Sequence, residues 1–245
     1  MHILWTTIFY QPIYNILIFL MGVVTHGDVG FAIIILTILV KLILFPLSKK
    51  GIKSQILMKK LEPMVAKIKK DYPDKEEQAK KTFELYKQYG TNPFSGCVAI
   101  IIQLPIIIAL YYAFRQGLGF DPSLLYSFVH LPANIHTMFL GIIDVHSKSI
   151  PLALIAGVSQ FIQGYLATPL QPKGIKSDAP KSFQEQMADS MALNVKYILP
   201  ILITFIAWEI SAAVAIYWIT NNICTIIQEW YVRKTLVSPT LIDTL

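Results

Sequence analysis

The 245-residue chain is 54 % hydrophobic and only 15 % charged, with a mean hydropathy of +0.54, which places it in a bilayer and excludes an ordinary soluble globule. Its net charge of +6 is unevenly spread: twelve of the 21 basic residues lie between Lys49 and Lys87 among six acids, whereas 115–148 has basic residues only at its ends. The two cysteines, Cys97 and Cys224, sit inside apolar runs without a CxxC pattern, and the five histidines lack ligand spacing, so neither a metal nor another cofactor is expected.

In chain order, residues 1–27 open with an apolar stretch, 3–24, interrupted by Gln11-Pro12 and Asn15. No Lys or Arg there decides between a span and a surface helix; the polar interruption favours a helix in the outer interface, with Trp5, Phe9, Tyr10 and Tyr14 as belt residues. Residues 28–48 form the first span. Residues 49–93 read as a soluble helical hairpin, with Ile52, Ile56, Leu57, Leu61, Met64, Val65 and Ile68 facing Phe83, Leu85, Tyr86 and Tyr89. Its break is Asp71-Tyr72-Pro73-Asp74, Asp74 and Glu77 have capping-box spacing, and Gly90 closes the second arm.

A second span follows at 94–114, a loop at 115–148 and a third span at 149–168. After a loop at 169–195, residues 196–232 hold a fourth and a fifth span joined at Ser211-Ala212-Ala213, and 233–245 form a tail. The 38 residues from Lys196 to Arg233 give about 57 Å of helix, slightly short for two crossings of a ~30 Å core. The lysine distribution puts 49–93, 169–195 and the C-terminus in the cytoplasm and the N-terminus and 115–148 outside. The lysine-rich hairpin lacks the interleaved aromatics of a nucleic-acid platform, so no specific nucleic-acid sequence is a partner; anionic lipid headgroups or a ribosome fit its charge.

Lys41 stands alone in the apolar run from Phe31 to Pro46. A cation there either snorkels to the headgroups or faces water and a partner. Polar residues at matching depth favour the second reading. Thr37 and Ser48 fall on the Lys41 face by helical counting, the second span carries Gln103, and the third carries Ser159, Gln160 and Gln163. The last carries Tyr217, Asn221, Thr225 and Gln228 on one stripe, with Asn222 adjacent. Without a carboxylate at this depth to pair with Lys41, the economical arrangement is a water-filled groove lined by these stripes.

The order Phe45-Pro-Leu-Ser48, Tyr86-Lys-Gln-Tyr-Gly90, Asn92-Pro-Phe-Ser-Gly-Cys97, Gln103-Leu-Pro105 and Ala109-Leu-Tyr-Tyr112, ending in Tyr217-Trp-Ile-Thr-Asn-Asn222 and Thr225-Ile-Ile-Gln228, resembles the YidC/Oxa/Alb membrane protein insertases over about residues 8 to 234. The resemblance implies an all-α polytopic membrane protein of the bacterial plasma membrane: five transmembrane helices around a hydrophilic groove that is open to the cytoplasm and to lipid, with a cytoplasmic helical hairpin. The implied function is insertion of hydrophobic segments with their short polar flanks, without covalent catalysis. The implied partners are nascent membrane proteins and the lipid bilayer, with the ribosome and the Sec translocon beside them. Lys41 stands where the family usually has arginine, and Ile210-Ser-Ala-Ala213 where it usually has Phe-Pro-Ala-Gly. The rival reading is a small transporter or channel in which Lys41 binds an anionic solute; the lack of an internal inverted repeat speaks against it.

Overall fold

The structure, a computed structural model, describes residues 5–92, 103–109, 111–112, 121–167, 190 and 193–236. Cys97, much of the expected second span and nearly all of 169–195 lie outside them. The first helix, α1 (Thr6–Val23), opens with a π-helical turn and packs on α2 (Val29–Ile43) through a face that includes Leu17, Ile18 and Met21. Tyr14, expected in the interfacial belt, is instead a core residue only 2 % exposed. The polar interruption is also accounted for inside the protein. Asn15 Nδ2 donates to Leu124 O at 2.8 Å, its Oδ1 accepts from the Tyr126 N–H at 2.7 Å, and Gln11 Nε2 donates to Leu124 O at 3.1 Å. Satisfied amides lose most of the desolvation cost that would keep them at a surface.

The Asp28 carboxylate caps α2 by accepting from the Phe31 N–H at 2.9 Å. The helix stops at Ile43, and after Leu44 the chain turns by 63° into α3 (Phe45–Asp71). Pro46 lacks the N–H that would continue the ladder. Ser48 therefore does not share the Lys41 face, because the helical counting that placed it there crosses the bend.

Helices α3 and α4 (Lys75–Gln88) form the hairpin, with Asp74 accepting from the Glu77 N–H at 3.1 Å and Gly90 in the left-handed region at φ +62°. Its stripes close only in part. Ile52, Leu61 and Val65 are buried, whereas Met64 and Phe83 stay 44 % and 56 % exposed and α4 buries no residue fully; two helices alone have too little interior to enclose both stripes. The base is tied by polar bonds: the Ser54 and Thr91 hydroxyls lie 2.5 Å apart in a buried position, and the Asn92 N–H donates to Ser54 Oγ at 3.2 Å.

Residues 121–148 form an ordered cap rather than an open loop. Gly27, at φ +95°, accepts the His136 N–H at 2.8 Å, and a Cβ at position 27 would collide with Asn134 O. Strands β1 (Met138–Phe139) and β2 (Ile143–Asp144) pair antiparallel, with Met138 opposite Asp144. Burial holds the His146 imidazole below its ordinary 6.5, with Asp144 opposing. The folded cap thus binds fewer protons at His146 than the unfolded chain does, so its stability falls as pH drops through about 6.5. His146→Gln is expected to flatten the pH dependence of amide exchange across 138–147.

Helix α5 (Ile150–Ala167) packs on α6 (Leu199–Ile210), and α7 (Ala212–Leu236) contacts α2, α3, α5 and α6 as the centre of the molecule. The α6–α7 turn is the single extended residue Ser211, as the sequence allowed. The N–H groups of Ala212 and Ala213, which have no partner within the new helix, donate to Ser147 O and Val145 O of the cap, both at 2.9 Å. Lys148 Nζ and Glu209 Oε2 close the same corner at 2.9 Å. The expected shortness of the final pair falls on one arm only. Residues 194–210 rise about 26 Å, whereas the 25 residues of α7 rise about 37 Å. Among the described residues, α1 and α5 are long and apolar enough to cross a membrane, and α2 with α3 makes a third as a bent pair.

Candidate functional site

The last turn of α2 and the middle of α7 face each other across a polar seam. Lys41 is half-buried, and its Nζ donates to Thr225 Oγ1 at 2.8 Å. Thr225 can accept because its own hydroxyl proton goes to Asn221 O at 2.8 Å, the usual back-bond of a helical threonine. Among the described residues no carboxylate lies within ion-pair distance of Lys41. Beside it a small cavity is lined by Thr37, Val40, Lys41 and Leu44 of α2, Gln103 and Ile106, and Tyr217 and Asn221 of α7. Its free volume of about 10 Å³ is room for about one water.

The polar atoms around this cavity are unevenly satisfied. The Thr37 hydroxyl donates to Ile33 O at 2.7 Å and asks nothing of a ligand. Gln103 Nε2, Tyr217 Oη and Asn221 Oδ1 are buried without a partner among the described residues. They offer two donors and an acceptor beside one cation, where each group costs roughly 1–3 kcal/mol if nothing polar meets it. The arrangement is suited to water or a passing polar backbone. Among the described residues lining the cavity, none is a nucleophile paired with a base.

The ten residues singled out from the sequence divide into two groups. Thr37, Lys41, Gln103, Tyr217 and Asn221 line the cavity, and Thr225 and Gln228 bond directly to Lys41, the latter through Nε2 to Lys41 O at 2.9 Å. Ser159, Gln160 and Gln163 lie on α5 away from the cavity lining. There Gln160 Nε2 donates to Gln163 Oε1 at 2.9 Å, and Ser159 accepts from Asn222 Nδ2 at 3.0 Å. Asn222 is the link between the groups, since Asn221 Nδ2 reaches its Oδ1 at 3.5 Å. Its adjacency to the α7 stripe was the only signal of that role in the sequence. The apolar walls Val40, Leu44 and Ile106 carry no such signal, because an apolar residue in an apolar run is indistinguishable from one facing lipid.

The chain resembles known proteins along most of its length. The family described as 60Kd inner membrane protein matches residues 19–239. The Membrane protein insertase YidC of Clostridium tetani is 32 % identical over 219 residues, which cover 88 % of this chain and 87 % of that one. The Membrane protein insertase YidC of Nitratidesulfovibrio vulgaris is 30 % identical over 236 residues, 94 % of this chain but 39 % of the longer relative. The crystal structure of an active YidC insertase with its first transmembrane domain resolved shares the fold at a TM-score of 0.57 and 24 % identity, covering 93 % of this chain and 46 % of that one. The chain thus spans most of the Clostridium relative and less than half of the other two. None of these matches supports the rival transporter reading. A helical chain matched along nearly its whole length belongs to the 60Kd inner membrane protein family of YidC membrane protein insertases.

Proposed function

We propose that the chain moves hydrophobic segments and their short polar flanks from the cytoplasm into the plasma membrane, with the Lys41 seam as the place where the polar flank is received. The observation that carries this reading is a cation whose ammonium bonds, among the described residues, only to Thr225, beside three unpartnered buried polar atoms at one cavity. A polar flank entering there exchanges water for protein donors and acceptors, so the cost of taking it into the bilayer falls. The driving force is the burial of the substrate's own apolar segment. A cavity with room for about one water must widen to admit a chain, which makes the groove a product of helix separation on the cytoplasmic and lipid sides.

The reading includes five spans, α2 with the bend into α3, the partly described second span, α5 and the α6–α7 pair, with α1 lying at the outer interface. Their parity puts the N-terminus outside and the C-terminus in the cytoplasm. Ser159, Gln160, Gln163 and Asn222 form a second polar patch that a widened groove brings into contact with substrate. Nascent membrane proteins and the bilayer are its partners; the basic hairpin fits a ribosome or the Sec channel beside it.

Photocrosslinking from position 41 during translation tests the site. Crosslinks to a nascent membrane protein whose polar flank is stalled midway are expected, and their absence from position 41 while position 158 on the exposed side of α5 still crosslinks would overturn the assignment. Orientation has its own test. Single cysteines at Lys67 and Ser127 are expected to react with a membrane-impermeant thiol reagent from the cytoplasmic and the outer side respectively, and the reverse pattern would invert the topology.

A further inference from the structure

The bend at Leu44 interrupts the helical pairing of the last α2 carbonyls, and one of them is held from another helix. Helical pairing would send Lys41 O to the N–H of Phe45 and Leu42 O to position 46, but position 46 is proline and the chain turns by 63°. Gln228 Nε2 donates to Lys41 O at 2.9 Å. One turn earlier on α7, Thr225 holds the ammonium of the same lysine. One turn later, the Tyr231 ring meets that of Phe45, the first residue of α3, at a centroid distance of 6.0 Å. Positions 225, 228 and 231 share one face of α7. That face grips the end of α2, its charged side chain and the root of the hairpin arm.

We infer that Gln228 is a positioning residue, the pin that sets the angle at which the α3–α4 arm leaves the bundle and that couples this angle to the location of the Lys41 ammonium. The arm is built to move as one piece. Helix α3 runs unbroken from Phe45 to Asp71, and the Ser54–Thr91–Asn92 bonds tie the end of the α4 segment to its base, so the joint is the bend at Leu44. With 27 residues, α3 is about 40 Å long, so a change of about 10° at the joint moves its tip about 7 Å. Releasing the Gln228 amide from Lys41 O frees the last turn of α2 and the arm together. A load on the arm then shifts the cation relative to Thr225, and a polar group drawing the cation away loosens the arm. The inference rests on the groove reading for its consequence in insertion, but the test reads the arm's angle and stands whether or not Lys41 receives substrate.

The experiment uses the full chain with Cys97→Ser and Cys224→Ser in lipid nanodiscs. Spin labels at Lys67→Cys on the arm and Ile150→Cys at the start of α5 report the arm-to-body distance by pulsed electron resonance. A narrow distribution is expected for the parent. Gln228→Leu removes the donor at similar volume and is expected to shift or broaden the distance by about 6 Å, the movement of position 67 for a change of about 10°, whereas Gln228→Lys keeps an N–H donor and is expected to leave it narrow. A second pair, Ile150→Cys with Trp230→Cys, lies wholly within the body and is expected to stay narrow throughout; if the leucine variant broadens this pair, Gln228→Met is read in its place. An unchanged arm distance after donor removal overturns the inference. So does equal broadening with leucine and lysine, because side-chain shape and not the hydrogen bond would then set the angle.

Discussion

Lys41→Leu is expected to lower insertion of a substrate with an acidic polar flank roughly 30-fold while leaving a matched substrate with a neutral flank nearly unaffected. Unit charges about 8 Å apart at an effective dielectric near 20 attract by about 2 kcal/mol, which corresponds to that factor. Lys41→Arg keeps the charge and N–H donors for Thr225 Oγ1 and is expected to retain function. Lys41→Glu is expected to be worst with the acidic flank, since attraction becomes repulsion. A snorkelling lysine predicts the opposite ranking, with leucine working as well as the parent because the apolar run from Phe31 to Pro46 becomes continuous. The measurement is insertion of the paired substrates into proteoliposomes at equal amounts of folded protein. Full activity of Lys41→Leu on the acidic flank would sink the charge mechanism and leave the fold and family untouched.

Gly157→Ala is expected to destabilise the protein by about 1–3 kcal/mol, the usual cost of overpacking an interior. The α5–α6 contact leaves no room for a side chain there: a Cβ at 157 would collide with Thr204 Oγ1 and stand 3.2 Å from Pro200 O. Thr204 cannot easily turn aside, because its hydroxyl donates to Pro200 O at 2.8 Å. Close approach of this kind replaces the hydrophobic drive that is absent between helices in lipid. Thr204→Ala in the same chain removes the clashing oxygen and is expected to recover part of the loss, whereas Thr204→Val keeps the bulk and is expected to recover none. Thermal unfolding in detergent checks both, with a fall in Tm of about 5 °C for the single variant. An unchanged Tm for Gly157→Ala would mean that α5 and α6 are not packed closely enough to exclude a methyl group.

Features set by residues near one another in the chain are legible in the amino-acid order alone. The hairpin break at Asp71–Asp74, the Asp74 cap and the closing Gly90 all follow from local backbone preferences, as does the placing of the α6–α7 turn within 211–213, whereas its tightening to Ser211 alone comes with the bonds to Ser147 O and Val145 O. The α7 stripe from Tyr217 to Gln228 is readable because helical periodicity by itself puts those positions on one side. Where local counting meets a break it fails, as at Ser48, whose place depended on a helix that Pro46 ends.

By itself, then, the chain determined a membrane protein, its family and the residue types available to a polar seam, since hydropathy, charge and motif order are properties of neighbouring positions. Only the tertiary structure decided which of those residues meet. Asn15 and Gln11 look misplaced in an apolar helix until Leu124 and Tyr126 arrive to satisfy them. Ser159, Gln160 and Gln163 are uncharged polar residues like most of the Lys41 seam yet face a different partner, and Gln228 became a backbone pin instead of a free lining residue. These outcomes depend on the rotation and depth of one helix against another. Periodicity establishes which residues share a face, whereas the packing of distant segments establishes what that face meets.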